Sequence, residues 1–176
     1  MDANHSNSLP SPALAICGYS NAGKTTLLLQ LIPELTRRGL KVAVLKHDVH
    51  GLNIDTPGKD SDRIYQAGAD VVLQGPEQSF VRLHGNGDAE LEQVLANLCR
   101  HYDLVLVEGR KHTPFLDKVW LRRSEDDVAP EGTMRVTLDL GRDDDRLAAV
   151  VEHLENSVTL RHQDAITTGG MLTGAV

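Results

Sequence analysis

The octapeptide Gly18-Tyr19-Ser20-Asn21-Ala22-Gly23-Lys24-Thr25 follows the pattern GxxxxGK[ST], and Thr26 stands behind it. Its setting constrains the chain more than any other feature. Ahead of it, Ala13-Leu14-Ala15-Ile16-Cys17 is an apolar run of buried-strand length. Behind it, Leu27, Leu28, Leu31, Ile32 and Leu35 recur at helical spacing, and Gly39 supplies the stop. A strand, a glycine-rich turn and a helix in that order aim successive backbone N–H groups and a helix N-terminus at one anion. Lys24 then reaches the β- and γ-phosphates of a nucleotide, and the Thr25 hydroxyl is placed to coordinate Mg²⁺. An ordinary turn before a helix is the alternative. The combination of strand, pattern and helix argues against it.

Val42 to Leu45 reads as a second buried strand, completing a strand–helix–strand unit. Pro33 conflicts with an uninterrupted helix between them and predicts a kink or a separate last turn. Lys46 to Ser61 is a loop rich in charge, His, Gly and Pro, of a length that is usually functional or disordered. A short helix is expected from Asp60 to Ala67. Val71–Leu73 and Phe80–Leu83 flank Gly75-Pro76-Glu77-Gln78, which predicts a hairpin. Leu91, Val94, Leu95 and Leu98 mark a third helix. Leu104-Val105-Leu106-Val107 is the most continuous apolar run and is assigned to the sheet centre. Strands at Val119–Leu121 and Val136–Leu140 precede a last helix carrying Leu147, Val150, Val151 and Leu154. The expected fold is α/β, a three-layer nucleotide-binding architecture with a mainly parallel sheet and a β-hairpin excursion. Residues 13–158 form that domain, after a disordered leader (Met1 to Pro12) and before a tail (Thr159 to Val176) assigned no structure.

Glu108 follows the run Leu104–Val107 and so projects from the carboxyl edge of the sheet, where open α/β folds bind ligands. It is the candidate second anchor for Mg²⁺, directly or through a water. A charge placed after four apolar residues is poorly accommodated without a cation. In the loop, Asp60-Ser61 are placed to cap the following helix. Lys59 then lies near a helix start, a mismatch for a cation unless an anion is present. It reads as phosphate-facing or as a solvated lysine beside a cap.

Composition narrows the ligand. The chain has 176 residues and a net charge of −7, with aromatics at 3%. It therefore lacks both the field and the stacking platforms of a general nucleic-acid binder. The acid is uneven. From Gly18 to Ser61, Lys24, Arg37, Arg38, Lys41, Lys46 and Lys59 stand against Glu34, Asp48, Asp55 and Asp60, leaving that segment +2. Cys17 and Cys99 lack CxxC spacing, as expected in a reducing compartment. No apolar run approaches the roughly 20 residues that span a bilayer. With no signal-peptide pattern in the leader, the protein is expected to be cytoplasmic and free of membranes.

Gly18 to Thr26, Lys46-His47, Asp55-Thr56-Pro57-Gly58-Lys59-Asp60-Ser61 and Asp103 to Gly109 together resemble the MobB family, GTP-binding adapters of molybdopterin guanine dinucleotide biosynthesis. The likeness runs from about Ala13 to Leu121. PGKDS and VEGxKH (Val107 to His112) make it more specific than the phosphate loop alone. The resemblance implies GTP and Mg²⁺ as ligands, with Gly18 through Thr26 forming the phosphate loop. Lys46, His47, Lys59 and Asp60 map onto a loop facing the phosphates, and Glu108, Gly109 and Lys111 onto the second strand-end motif. Thr25, Glu108 and Asp60 are the metal candidates. Arg110 departs from the pattern, which commonly has an aromatic residue there. The resemblance also implies a homodimer built partly through the Val71–Leu83 hairpin. It implies a role beside the molybdopterin guanylyltransferase that joins GMP to molybdopterin, with weak hydrolysis of its own.

Two alternatives stay open. A metallochaperone-like GTPase would need His47 and His50, an H-x-x-H pair, to bind metal, with His112 following the second motif; the reading we prefer has these as polar residues lining a loop and contacting phosphate. A small-molecule kinase would need an arginine-bearing lid, and Arg122-Arg123 has no obvious lid around it. Asp60 and Glu108 are the carboxylates to test for hydrolysis. No [NT]KxD motif occurs, so guanine over adenine comes from the resemblance alone. Asp139 is placed to accept from guanine N1–H and N2–H₂. Asp126-Asp127 and Asp143-Asp144-Asp145 read as solvated faces, the trio at a helix start.

Overall fold

The apolar runs become strands and the helical stripes become helices. A computed structural model describes residues 13–46, 54–85 and 91–169, with side chains through Ser157. The order is β1 (Ala13–Gly18), α1 (Lys24–Arg37), β2 (Val42–Lys46), α2 (Asp60–Gln66), β3 (Val71–Gln74), β4 (Ser79–Arg82), α3 (Leu91–Cys99), β5 (Leu104–Glu108), β6 (Asp117–Leu121), β7 (Val136–Leu140) and α4 (Arg146–Gly169). The leader, His47, His50 and the residues after Gly169 lie outside the described residues. The chain divides into two units, one of Met1–His47 with Leu95–Val176 and one of Asp48–Val94.

In the first unit all pairings are parallel, in the order β2-β5-β1-β6-β7. Alternation sends Leu14, Ile16, Leu106, Val119 and Leu121 to one face, where they cluster with Leu27, Leu31 and Leu35 of α1 and Val150 and Leu154 of α4. Ala15, Cys17, Val105, Val107 and Trp120 alternate to the other face and are equally buried, as are Leu95 and Cys99 of α3. Burial of both faces is what a parallel sheet requires. Each fully buried Leu or Val contributes about 1.5–3 kcal/mol. The result is the expected three-layer α/β architecture.

Four local expectations are corrected. The centre of the sheet is β1, with β5 beside it. β2 is an edge strand and only partly covered, so Val44 is exposed. α1 runs unbroken through Pro33. Pro33 and Leu29, whose carbonyl loses its partner, both face solvent, where water satisfies it. α4 continues to Gly169, eleven residues past the expected boundary, because no Gly or Pro interrupts the chain before Gly169-Gly170.

The second unit is the predicted hairpin with α2. β3 and β4 pair antiparallel from Val71↔Arg82 to Gln74↔Ser79, closed by the Gly75 N–H donating to the Gln78 carbonyl at 2.9 Å. Val71 is buried, but Ile64, Val72, Val81 and Leu83 are each more than half exposed. Polar contacts hold this unit. Arg82 pairs with Asp62 (2.9 Å) and Asp55 (3.3 Å), and the Ser61 hydroxyl donates to Asp55. The Tyr65 ring stacks on His84 and lies 3.7 Å from the Arg82 guanidinium carbon.

Candidate nucleotide-binding site

The Gly18–Thr25 loop takes its shape from one close approach and two left-handed residues. Gly18 adopts φ 145°, and a Cβ there would lie 2.6 Å from the Leu121 carbonyl oxygen. Asn21 (φ 62°) and Gly23 (φ 88°) both take the left-handed conformation, which curls the intervening N–H groups inward. Gly23 is the N-cap of α1 and offers no side chain to its amides; the first turn holds no acid. The N-terminal amides of this helix are thus free of side-chain caps, the condition for receiving an anion. The Lys24 ammonium donates to the Gly18 (3.1 Å) and Tyr19 (2.8 Å) carbonyls, folded over the loop it would serve.

Thr25 and Glu108, 83 residues apart, meet. The Thr25 hydroxyl lies 3.1 and 3.2 Å from the two Glu108 carboxylate oxygens. A hydroxyl and a carboxylate are the hard oxygen donors Mg²⁺ prefers. Adjacent ligands of an octahedral ion with bonds near 2.0–2.1 Å sit about 3.0 Å apart, so this pair fits the ion. Lys46 is in register with Glu108 across the β2–β5 ladder, which puts both at the same strand end. Gly109 (φ 94°) and Arg110 (φ 61°) follow in left-handed conformations, and the Gly109 N–H donates to the Ile16 carbonyl. A non-glycine residue held there is strained, as residues at functional edges often are. Thr26 is exposed on the first turn of α1, and His112 is exposed beyond Lys111.

Lys59 and Asp60 belong to the second unit. Asp60 does not cap α2: the N-cap is Lys59, without a side-chain cap hydrogen bond, and the Asp60 side chain is 98% exposed. Asp62 closes the turn instead, accepting from the Gly58 N–H at 2.9 Å. That bond and the Arg82 guanidinium hold its carboxyl below the usual range. Asp139 is gripped by both Nε and Nη2 of Arg122 and so is not a free reader of guanine. Asp127 is likewise bound, by Arg123, and is no solvated face. In the acidic trio, Asp145 caps α4 through the Ala148 N–H and Asp144 accepts from the Gly141 N–H. Among the described residues, no three His, Cys, Asp or Glu gather as metal ligands.

Several supporting residues escape sequence reasoning. Lys118, fully buried, donates to the carbonyls of Thr113, Leu116 and Met134 and pins the loop after Glu108-Gly109. Burial pulls its pKa below the ordinary lysine value. Tyr19 packs edge-on against Trp120, with Lys111 and Arg123 each within 5.5 Å of its ring centroid. Behind the loop, burial pushes the Cys17 thiol up to about 11, leaving it a protonated core group. Arg146 donates to the Ala22 carbonyl at 2.8 Å from 124 residues away. A cation in the first turn of a helix was its available signal.

A sequence profile described as MobB, molybdopterin guanine dinucleotide synthesis protein B, matches residues 13–138. This chain belongs to the MobB family. It is 42% identical over 116 residues to the molybdopterin-guanine dinucleotide biosynthesis adapter protein of Haemophilus influenzae, covering 65% of each chain. It is 41% identical over 105 residues to the adapter protein of Escherichia coli, covering 57% of this chain and 60% of that one. The chain thus spans somewhat less than two thirds of these curated relatives. A crystal structure of molybdopterin-guanine biosynthesis protein B superposes with a TM-score of 0.67 at 26% identity, over 84% of this chain and 99% of the other. Bacillus subtilis MobB gives 0.59 at 26% identity, over 76% and 81%. The matched span of this MobB-family member contains the phosphate loop, the PGKDS segment and Glu108. Among the described residues no helix is long and apolar enough to cross a membrane.

Proposed function

We propose that this chain is a GTP-binding adapter that assists the joining of GMP to molybdopterin, forming molybdopterin guanine dinucleotide. In a chain of this family, the observation that carries the reading is the meeting of Thr25 and Glu108 beside an uncapped helix N-terminus. The phosphates would lie on the backbone N–H groups of Ser20 to Thr25. Lys24 would release the Gly18 and Tyr19 carbonyls to reach them. Thr25 and Glu108 would hold Mg²⁺, which offsets phosphate charge. Lys46 adds positive charge at the strand end, and Lys111 beyond the second motif does the same.

Lys59 and Asp60 belong to the same reading as a second phosphate-facing element, with His47 at the loop's start. Its own hydrolysis of GTP is at most weak in this reading. The exposed apolar side chains of the hairpin, Val72 and Val81 among them, support self-association of two copies through that unit. The partners are the molybdopterin guanylyltransferase and molybdopterin itself, in the cytoplasm. The test is co-purification: the tagged chain with GTP and Mg²⁺ should retain a molybdopterin guanylyltransferase. Equal recovery on the tag alone overturns the adapter role.

A further inference from the structure

A cavity of about 420 Å³ adjoins the phosphate loop and is lined by Asn21, Ala22, Gly23, Arg122, Arg123, Arg142 and Arg146. It lies beyond the carboxyl ends of β6 and β7, whereas Thr25 and Glu108 meet on the β5 side of β1. Asn21, Ala22 and Gly23 of the loop line this cavity, so a nucleotide whose phosphates lie on the loop has it within reach of its nucleoside. We infer that this arginine-lined cavity takes the purine base and selects guanine through its O6 and N7 acceptors, with Arg142 as the reader. The inference rests on the nucleotide-binding reading above and adds to it the source of base specificity.

The state of the four arginines favours a base over a second phosphate. Arg122 is neutralised by Asp139 and Arg123 by Asp127. Arg146 is spent on the carbonyls of Gly141 (2.7 Å), Ala22 (2.8 Å) and Arg122. Their guanidinium groups are fixed in place, offering planar faces on which an aromatic ring stacks. Arg142 is exposed and makes no hydrogen bond or ion pair among the described residues, so its donors remain available. Arginine only donates. It pairs well with the O6 and N7 acceptors of guanine, while adenine presents an N–H₂ donor where O6 would be. No carboxylate lines the cavity, so the 2-amino group of guanine meets no charged acceptor there.

The test titrates the full chain with GTP, ITP, 7-deaza-GTP, ATP and inorganic tripolyphosphate, each with Mg²⁺. ITP, which lacks only the 2-amino group, should bind like GTP. 7-deaza-GTP and ATP should each bind about tenfold more weakly. In Arg142→Ala, GTP should fall to the ATP level, 7-deaza-GTP, which keeps only the O6 contact, should lose less than GTP does, and tripolyphosphate should be unchanged. Equal GTP and ATP binding by the native chain overturns the inference and leaves nucleotide binding standing. So does a loss of ITP alongside ATP, which indicates a carboxylate reader. Weakened tripolyphosphate in Arg142→Ala would make the cavity a phosphate site and overturns it as well. Failure of the native chain to bind either GTP or tripolyphosphate overturns both readings together.

Discussion

The two units of this chain are held together by different forces. In the first, a five-stranded parallel sheet buries both faces, and side chains such as Ile16, Leu106, Val107 and Trp120 lose all contact with water. In the second, a two-stranded hairpin and a seven-residue helix leave most of their apolar side chains exposed, and Arg82 does the organising through Asp55 and Asp62. A hairpin with one short helix has too little apolar surface to stand on burial alone. The difference separates a rigid frame that fixes the phosphate loop from a polar-latched element that presents Lys59. Rigidity belongs where donor positions must be kept.

The largest expected effect breaks this contrast at its core. Leu106→Ala should lower the unfolding free energy by about 3 kcal/mol in urea titration, since it empties a fully buried site. Ile64→Ala, on the exposed side of α2 in the second unit, should change it by less than about 0.5 kcal/mol. Comparable losses at the two sites would erase the distinction. Next, Arg82→Ala should speed amide exchange and proteolysis across residues 55–83 while leaving β1 and β5 protected. Uniform loosening of both units would show the latch is not local. The smallest effect is acid sensitivity. Hydrogen bonds from Arg37 and Arg38 lower the Glu34 pKa from 4.5 to about 2. Glu34 therefore stabilises the first unit above pH 4.5, and that contribution fades as pH falls toward 2. Glu34→Gln should flatten the decline of melting temperature between those values, and an unchanged slope would discard the pair as a contributor.

What was legible in the sequence is local. The phosphate loop, its strand and its helix are contiguous, so Gly18 to Thr26 could be placed from spacing alone. Glu108 was legible as a strand end because a charge after four apolar residues marks one, and β5 ends on it. The sheet order was not. Apolar continuity marks a strand as buried but does not say whether it is central, and β1 rather than β5 holds the middle. The contacts of the arginines were not legible for the same reason. Arg146 reaches Ala22, and Arg122 reaches Asp139, through contacts that exist only once β6 and β7 are beside β1. Asp139 looked free in the sequence because its partner, Arg122, sits on a neighbouring segment whose pairing no local pattern announces; Asp127 is held by Arg123, four residues before it, in a turn that no strand or helix period marks.

The central claim is that one nucleotide is held by the phosphate loop of the first unit. Calorimetric titration of GTP with Mg²⁺ into the intact chain and into Lys24→Ala tests it most directly. The native chain should bind one GTP per chain, and Lys24→Ala should show no measurable binding while keeping its native melting temperature to within a few degrees. Unchanged affinity in Lys24→Ala would contradict the claim.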